Sequence, residues 1–380
     1  MRPADGWESC RNVLGVRLDA MGDVLMTTPA LRALKESAPG RRITLLTSPA
    51  GAAVAPLVPE LDACWVYESP WMKATAPRGD SRGDHAMIDR LRSAEFDAAV
   101  IFTVYSQNPL AAAFLCYLAE IPLRLAHCRE NPYQLLTHWL VDPEPGTVIR
   151  HEVRRQLDLV ATVGARPSHE RLSLRIPEAA RLRVAERLWG LALDKGPSWV
   201  VIHPGASAPS RRYAPEGFAQ AAQRLVLESG FSVVFTGDAS ERPLIESIRA
   251  MMAAPAHSLA GELSLAELAA LIECAPLLIA NNTGPVHIAA AVGTPVVDLY
   301  ALTNPQHTPW AVPHRVLNHD VPCQPCHKSV CPQGHHDCLR LVDPAAIVQA
   351  VGELIEHCGR RGPDRRWGRP QPEPAGSVRD

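Results

Sequence analysis

The 380-residue chain is 47% hydrophobic and 21% charged, a soluble globular composition with length enough for two domains. Its net charge of −2 gives no bulk attraction to nucleic acid or to an acidic membrane surface. The first residues, MRPADGWESCR, lack the apolar centre of a signal peptide, and no run of about 18 apolar residues marks a membrane span. A cytoplasmic location is expected. Ten cysteines are far too few for a disulfide scaffold of this length; six are scattered, Cys64, Cys116 and Cys274 among them, and suit reduced core positions.

In chain order, Asn12–Leu18 is a buried strand and Asp19–Asp23 the loop that leaves it. Val24–Ser37 has helical spacing with Leu31 and Leu34 inward, and Thr28-Pro29 is a point where it kinks or truly starts. Ile43–Thr47 and Cys64–Glu68 are strands with a helical piece between them. Ser69–Asp84, rich in Pro, Gly and charge, is a loop. Phe96–Phe102 is a strand and Asn108–Glu120 an apolar helix. Arg129–Thr147 is expected to be irregular, His151–Val163 helical, and Gly164–Pro177 a linker.

The alternation then restarts. Trp199–His203 and Phe231–Thr236 are strands, and Pro215–Glu228, Arg242–Met252 and Ser264–Glu273 are helices. Leu277–Leu299 is the most informative stretch: a strand to Ala280, a loop Asn281-Asn282-Thr283-Gly284, a helix Pro285–Val292, and a strand Val296–Leu299. Asp343–Cys358 is the last helix, and residues 359–380 have the composition of a disordered tail. Two runs of alternating strands and helices imply an α/β protein of two doubly wound domains, 12–165 and 178–358, with no clear sequence repeat between them.

Ligands in such sheets bind at the carboxyl ends of strands, so the loops after Leu18, His203, Thr236 and Ala280 carry the chemistry. Gly22-Asp23 places a carboxylate near a helix N-terminus, either as an ordinary cap or as a base in the cleft, with Asp19 a competitor. His203-Pro204-Gly205-Ala206-Ser207 and the pair Arg211, Arg212 offer backbone donors, a hydroxyl and positive charge to a diphosphate. Glu241, after Gly237-Asp238, suits ribose hydroxyls or a helix cap. The helix N-terminus at Thr283 and Gly284 suits phosphate, and His287 lies one turn inside it. The chain has no GxGxxG after a strand, no GxxxxGK[ST] and no Asp-x-Asp, which argues against dinucleotide redox chemistry, a P-loop and a carboxylate-held metal.

Three motifs in order, VRLDAMGDVLMTTPALRALK, VIHPGASAPSRRYAPEGFA and IANNTGPVHIAAAVGTPVVDLY, resemble glycosyltransferase family 9, the ADP-heptose:lipopolysaccharide heptosyltransferases. The resemblance runs from about Asn12 to Gly352, and CQPCHKSVCPQGHHDCLR is most similar to the heptosyltransferase II branch. It implies the two-Rossmann GT-B fold, with acceptor on the N-terminal half and nucleotide sugar on the C-terminal half. It also implies an inverting transfer with no required cofactor or metal, and Asp23 as base. The donor side would comprise Ser207, Arg211, Arg212, Glu241, Asn282, Thr283, Gly284 and His287, shaped by loop glycines Gly22 and Gly205. The expected partners are ADP-heptose and a lipopolysaccharide core acceptor, the latter bringing the enzyme transiently to the inner membrane face. Arg211 replaces a family lysine and Asn282 a family aspartate, so another nucleotide sugar on the same fold is the alternative donor.

Cys323, Cys326, Cys331 and Cys338, with His327, His335 and His336 between them, have spacing that could hold a structural zinc or pair as disulfides in oxidising conditions. Lying beyond the motif loops, they are expected to brace the approach to the last helix and not to form the active site. A non-catalytic nucleotide-binding or zinc-organised scaffold is the reading from a different functional class.

Overall fold

The computed structural model describes residues 6–73, 75–193 and 199–359. The first half runs β1 (Asn12–Arg17), α1 (Met21–Glu36), β2 (Arg42–Thr47), α2 (Pro49–Ala52), β3 (Ala63–Val66), α3 (Arg82–Ser93), β4 (Ala98–Ile101), α4 (Leu110–Leu118), β5 (Leu123–Cys128), β6 (His138–Val141) and α5 (Glu152–Ala161). The second runs α6 (Glu178–Gly190), β7 (Trp199–His203), α7 (Pro215–Leu227), β8 (Ser232–Phe235), α8 (Arg242–Met251), β9 (His257–Ser258) and α9 (Leu265–Cys274). It closes with β10 (Leu278–Asn281), α10 (Gly284–Val292), β11 (Val296–Leu299), β12 (His314–Leu317), α11 (Asp337–Arg340) and α12 (Pro344–Gly359).

Every strand pairing is parallel, in two six-stranded sheets ordered β3-β2-β1-β4-β5-β6 and β12-β11-β10-β7-β8-β9. This is the GT-B arrangement of two Rossmann-like halves. Strand order reverses between β1 and β4 in one sheet and between β7 and β10 in the other. A crevice opens at such a switch point, so the loops after these four strands carry the candidate site.

Central strands such as β1, β4, β7 and β10 are buried almost throughout, as parallel strands covered on both faces must be. The edge strands β3, β6 and β12 are half exposed. That exposure explains a correction: the stretch expected to be irregular, Arg129–Thr147, contains β6, whose HWLV gives no long apolar run. The expected loop Ser69–Asp84 ends earlier, since α3 begins at Arg82. Residues 360–380 of the expected tail lie outside the described residues.

Helix α1 starts at Met21, one turn before the expected Val24, and runs through Pro29 without stopping. Proline removes the N–H that would reach the carbonyl four residues back, at Leu25. The Thr28 hydroxyl donates to that carbonyl instead, at 2.7 Å. The Thr28-Pro29 pair is therefore neither a start nor a stop.

The two halves share one apolar seam. Val24, Leu25 and Met26 of α1 belong to the same buried cluster as Val286, Ile288 and Ala289 of α10. The helix starts approach closely, and the closest contacts are at glycines on both sides. A Cβ on Gly22 would fall 2.6 Å from Cδ2 of the buried His287, and one on Gly284 would fall 2.2 Å from Cε of Met21. Met21 can swing its thioether aside, whereas the His287 ring is enclosed. Gly22→Ala should therefore lower stability by about 1–3 kcal/mol, as overpacking does. The urea midpoint reads this, and a wild-type midpoint would show that the seam yields freely.

Asp298 on β11 is wholly buried, and burial raises its carboxyl from the ordinary range to about 8. Its one hydrogen bond comes from Asn282 Nδ2 at 2.9 Å. The folded chain thus keeps this acid protonated where the unfolded chain ionises it, which opposes folding as pH rises from about 4 to about 8 and then levels off. Asp298→Asn keeps the shape and an acceptor for Asn282. It should raise the thermal midpoint by several degrees near pH 8 and by little near pH 4, read by scanning calorimetry across that range.

Candidate active site

The loop after β1 is organised by Arg17, the last residue of that strand and fully buried. Its guanidinium meets three carboxylates: Asp19 at 3.0 Å, Asp23 at 3.0 Å and Glu152 of α5 at 2.7 Å. One positive charge cannot neutralise three negative ones, and the acids divide accordingly. Burial raises Asp19 to about 6, with the Asp23 charge adding to the rise and Arg17 opposing it. Glu152, also buried, is raised. Asp23 is desolvated too, yet the Arg17 charge and hydrogen bond outweigh that and hold it below the ordinary carboxylate range. At neutral pH, Asp23 is the firmest anion of the cluster.

Asp23 has a second duty as well. Ala20 caps α1 without a side-chain acceptor, and Asp23 Oδ2 accepts from the Ala20 N–H at 3.3 Å. The cap and base readings of Gly22-Asp23 are thus compatible. Asp19 points the other way, accepting from Gln107 Nε2 at 2.6 Å on the loop after β4.

Facing Asp23 from the second half are the buried rings of His287 on α10 and His307 on the loop after β11. Burial holds them neutral, at about 3 and about 4, and the Arg211 charge lowers both further. Among the described residues, Nδ1 of His287 and Nε2 of His307 are buried without a hydrogen-bond partner. The α10 N-terminus beside them has Thr283 at its cap, with the Thr283 hydroxyl turned to the Asn281 carbonyl at 3.1 Å.

The loop after β7 carries Ser207, exposed, then Arg211 and Arg212. Arg212 Nε donates to the Ala206 carbonyl at 2.8 Å, closing the loop on itself. Asn281 pins the same loop from β10 by accepting from Tyr213 N–H at 3.0 Å and donating to the Pro204 carbonyl at 2.7 Å. Gly205 lets Glu241 lie against this loop, because a Cβ there would fall 1.7 Å from Oε1 and push the carboxylate aside. Glu241 itself reaches back to the Asp238 N–H at 2.9 Å, and burial raises its carboxyl. Here too, capping and ligand contact are not exclusive.

Asn282 is placed differently from the expected donor contact. Its side chain is buried and its amide donates inward to Asp298 and to the His307 carbonyl, both at 2.9 Å. In this structure it shapes the loop that carries His307.

The cysteine-rich segment is not confined to the approach to α12. Ser210, next to Arg211, donates its N–H to the Ser329 carbonyl at 3.1 Å and its hydroxyl to the Lys328 carbonyl at 2.7 Å. From the first half, Lys73 Nζ reaches Ser329 Oγ at 3.0 Å, and Tyr105 meets His327 edge-to-face with ring centres 5.9 Å apart. The segment is thus a brace on the loop after β7 and a bridge between the halves. Cys323, Cys326, Cys331 and Cys338 are free thiols lining one small cavity of about 20 Å³. Among the described residues, no three His, Cys, Asp or Glu side chains are arranged as a metal-holding group.

Arg17, Glu152 and His307 were not singled out by sequence reasoning. Arg17 carried a signal, being a charge in the apolar run NVLGVRL, and a buried charge demands partners. His307 sits in an aperiodic loop, where nothing local announces it.

A family model described as glycosyltransferase family 9 (heptosyltransferase) matches residues 85–336. Lipopolysaccharide heptosyltransferase 3 of Escherichia coli is 27% identical over 297 residues, covering 76% of this chain and 82% of that one. Among solved structures, a glycosyltransferase family 9 member from Veillonella parvula superposes with a TM-score of 0.74 at 20% identity, covering 92% of this chain and 99% of its own. The E. coli ADP-heptose lipopolysaccharide heptosyltransferase II gives 0.69 at 21% identity with the same coverages. With two facing Rossmann-like halves and a family match across more than half its length, the chain belongs to glycosyltransferase family 9.

Proposed function

We propose that this glycosyltransferase moves a heptose from ADP-heptose to a hydroxyl of the lipopolysaccharide core, with inversion at the anomeric carbon. One observation carries the reading: Asp23 of the first half, held ionised by Arg17, lies beside His287 and His307 of the second, and His287 in turn feels the Arg211 charge. A base on one wall and an anion site on the other is what in-line displacement of a diphosphate needs. Relatives whose names specify heptose transfer supply the sugar and the acceptor class.

In this mechanism Asp23 accepts the proton of the acceptor hydroxyl as its oxygen attacks the anomeric carbon. The bond from that carbon to the ADP oxygen breaks on the opposite face. The departing diphosphate gains charge, which the Arg211 guanidinium, the Ser207 hydroxyl and the Thr283-Gly284 helix end stabilise. His287, neutral and with a ring nitrogen unspent, orients the phosphates by hydrogen bonding. Glu241, in its slot between Gly205 and Gly237, takes the ribose diol, and Arg212 keeps the loop closed. No residue in this scheme needs a metal or other cofactor. The acceptor is lipid-linked, so the enzyme works at the cytoplasmic membrane face; none of the described helices is long and apolar enough to cross the membrane.

Asp23→Asn should lower kcat by about 10²–10⁴-fold, the usual worth of a general base, while ADP affinity stays near wild type. Parallel assay of Asp19→Asn identifies the base: the larger kcat loss on Asp19 would move the role there. Transfer should also continue in excess EDTA at an unchanged rate. Activity lost to chelator and restored only by a divalent ion would overturn the metal-free scheme.

A further inference from the structure

A cavity of about 460 Å³ lies beside the Arg17 cluster on the first half, between the loops after β1 and β4. That volume lies within the range of small-ligand clefts, roughly 300–1,000 Å³. Its lining suits a sugar: Trp71 and Met72 offer apolar faces, while Thr103, Gln107 and Asn108 offer a hydroxyl and amides. Trp71 is 36% exposed and touches Tyr67 edge-on, which leaves a ring face for an apolar sugar face.

The charge of this lining is its distinctive feature. Asp19 is the only ionisable side chain among the described lining residues, and no lysine or arginine joins it. The cations nearby are committed elsewhere. Arg17 is buried behind the wall and divides its charge among three carboxylates. Lys73 leads away to Ser329 of the other half. Arg129 turns to the carbonyls of Tyr105 and Glu144. An acidic group on a bound acceptor would meet Asp19 and, behind it, Asp23 and Glu152, with no cation of its own. Like charges so placed disfavour binding.

Resting on the glycosyl-transfer reading above, we propose that this cavity is the acceptor subsite and that it selects an uncharged sugar over one bearing phosphate or carboxylate. Asp19 is then a specificity-determining residue. It accepts hydrogen bonds from neutral hydroxyls and repels an anion at the same position. The loop after β4 is held stiff from behind, where Arg155 and Gln156 of α5 both donate to the Thr103 carbonyl, at 2.9 Å and 3.0 Å.

The test uses the full chain, ADP-heptose, and one deacylated core oligosaccharide prepared with its terminal heptose either bare or phosphorylated. The bare form should be used with at least about tenfold higher kcat/KM. Asp19→Asn should shrink that ratio several-fold by improving the phosphorylated form. Calorimetric titration of both oligosaccharides in the presence of ADP reads binding without turnover. The bare form should bind more tightly, and Trp71→Ala should weaken it. Equal or tighter binding of the phosphorylated form, binding of neither, or indifference to Trp71→Ala overturns the subsite. The expected binding order with no heptosylated product from either oligosaccharide overturns the transfer reading and leaves the subsite standing.

Discussion

A single buried guanidinium facing three carboxylates is the constraint on which the candidate site depends. Arg17 ends the first strand, Asp19 and Asp23 flank the turn into α1, and Glu152 begins α5, so the cluster ties the separate pieces of the first half to one point. Removing Arg17 would leave the buried carboxylates without a counter-charge, at a cost of about 3–5 kcal/mol. The excess of acids divides the carboxylates by neighbourhood. The one near the second half's histidines stays ionised, while the one toward the first half's cavity titrates near neutrality.

The halves repeat one solution. Each sheet is parallel and six-stranded, and each places its chemistry on the loops flanking the reversal of strand order. In the first half these loops bring Asp19, Asp23, Thr103 and Gln107. In the second they bring Arg211, Arg212, Thr283 and His287. Helix N-termini at α1 and α10 meet there, so backbone N–H groups offset part of the negative charge that the cluster concentrates.

Periodicity made much of this legible from residues alone. The Leu277–Leu299 unit was readable within one residue at each boundary because a buried strand, a proline at a helix start and a terminating glycine all agree. The edge strands β6 and β12 were not, since a half-exposed strand of four residues has no pattern to recognise. Asn282 illustrates another limit: its place in the loop is a matter of sequence, but the direction of its amide is set by Asp298, sixteen residues on, which tertiary packing brings beneath it. The bridging role of residues 323–338 likewise rests on contacts with Lys73 and Tyr105, more than two hundred residues away.

The seam between α1 and α10 has a mechanical consequence. Two doubly wound halves joined by a linker would be free to swing apart, but here Val24, Leu25 and Met26 share one continuous apolar cluster with Val286, Ile288 and Ala289. Separating them would expose that surface at roughly 25 cal/mol per Å². The bridges on the other side, Lys73 to Ser329 and Tyr105 to His327, are polar and only partly covered, and each gives little on breaking. The α1–α10 seam therefore resists separation of the halves, and Asp23, one residue before Val24, is held at its edge.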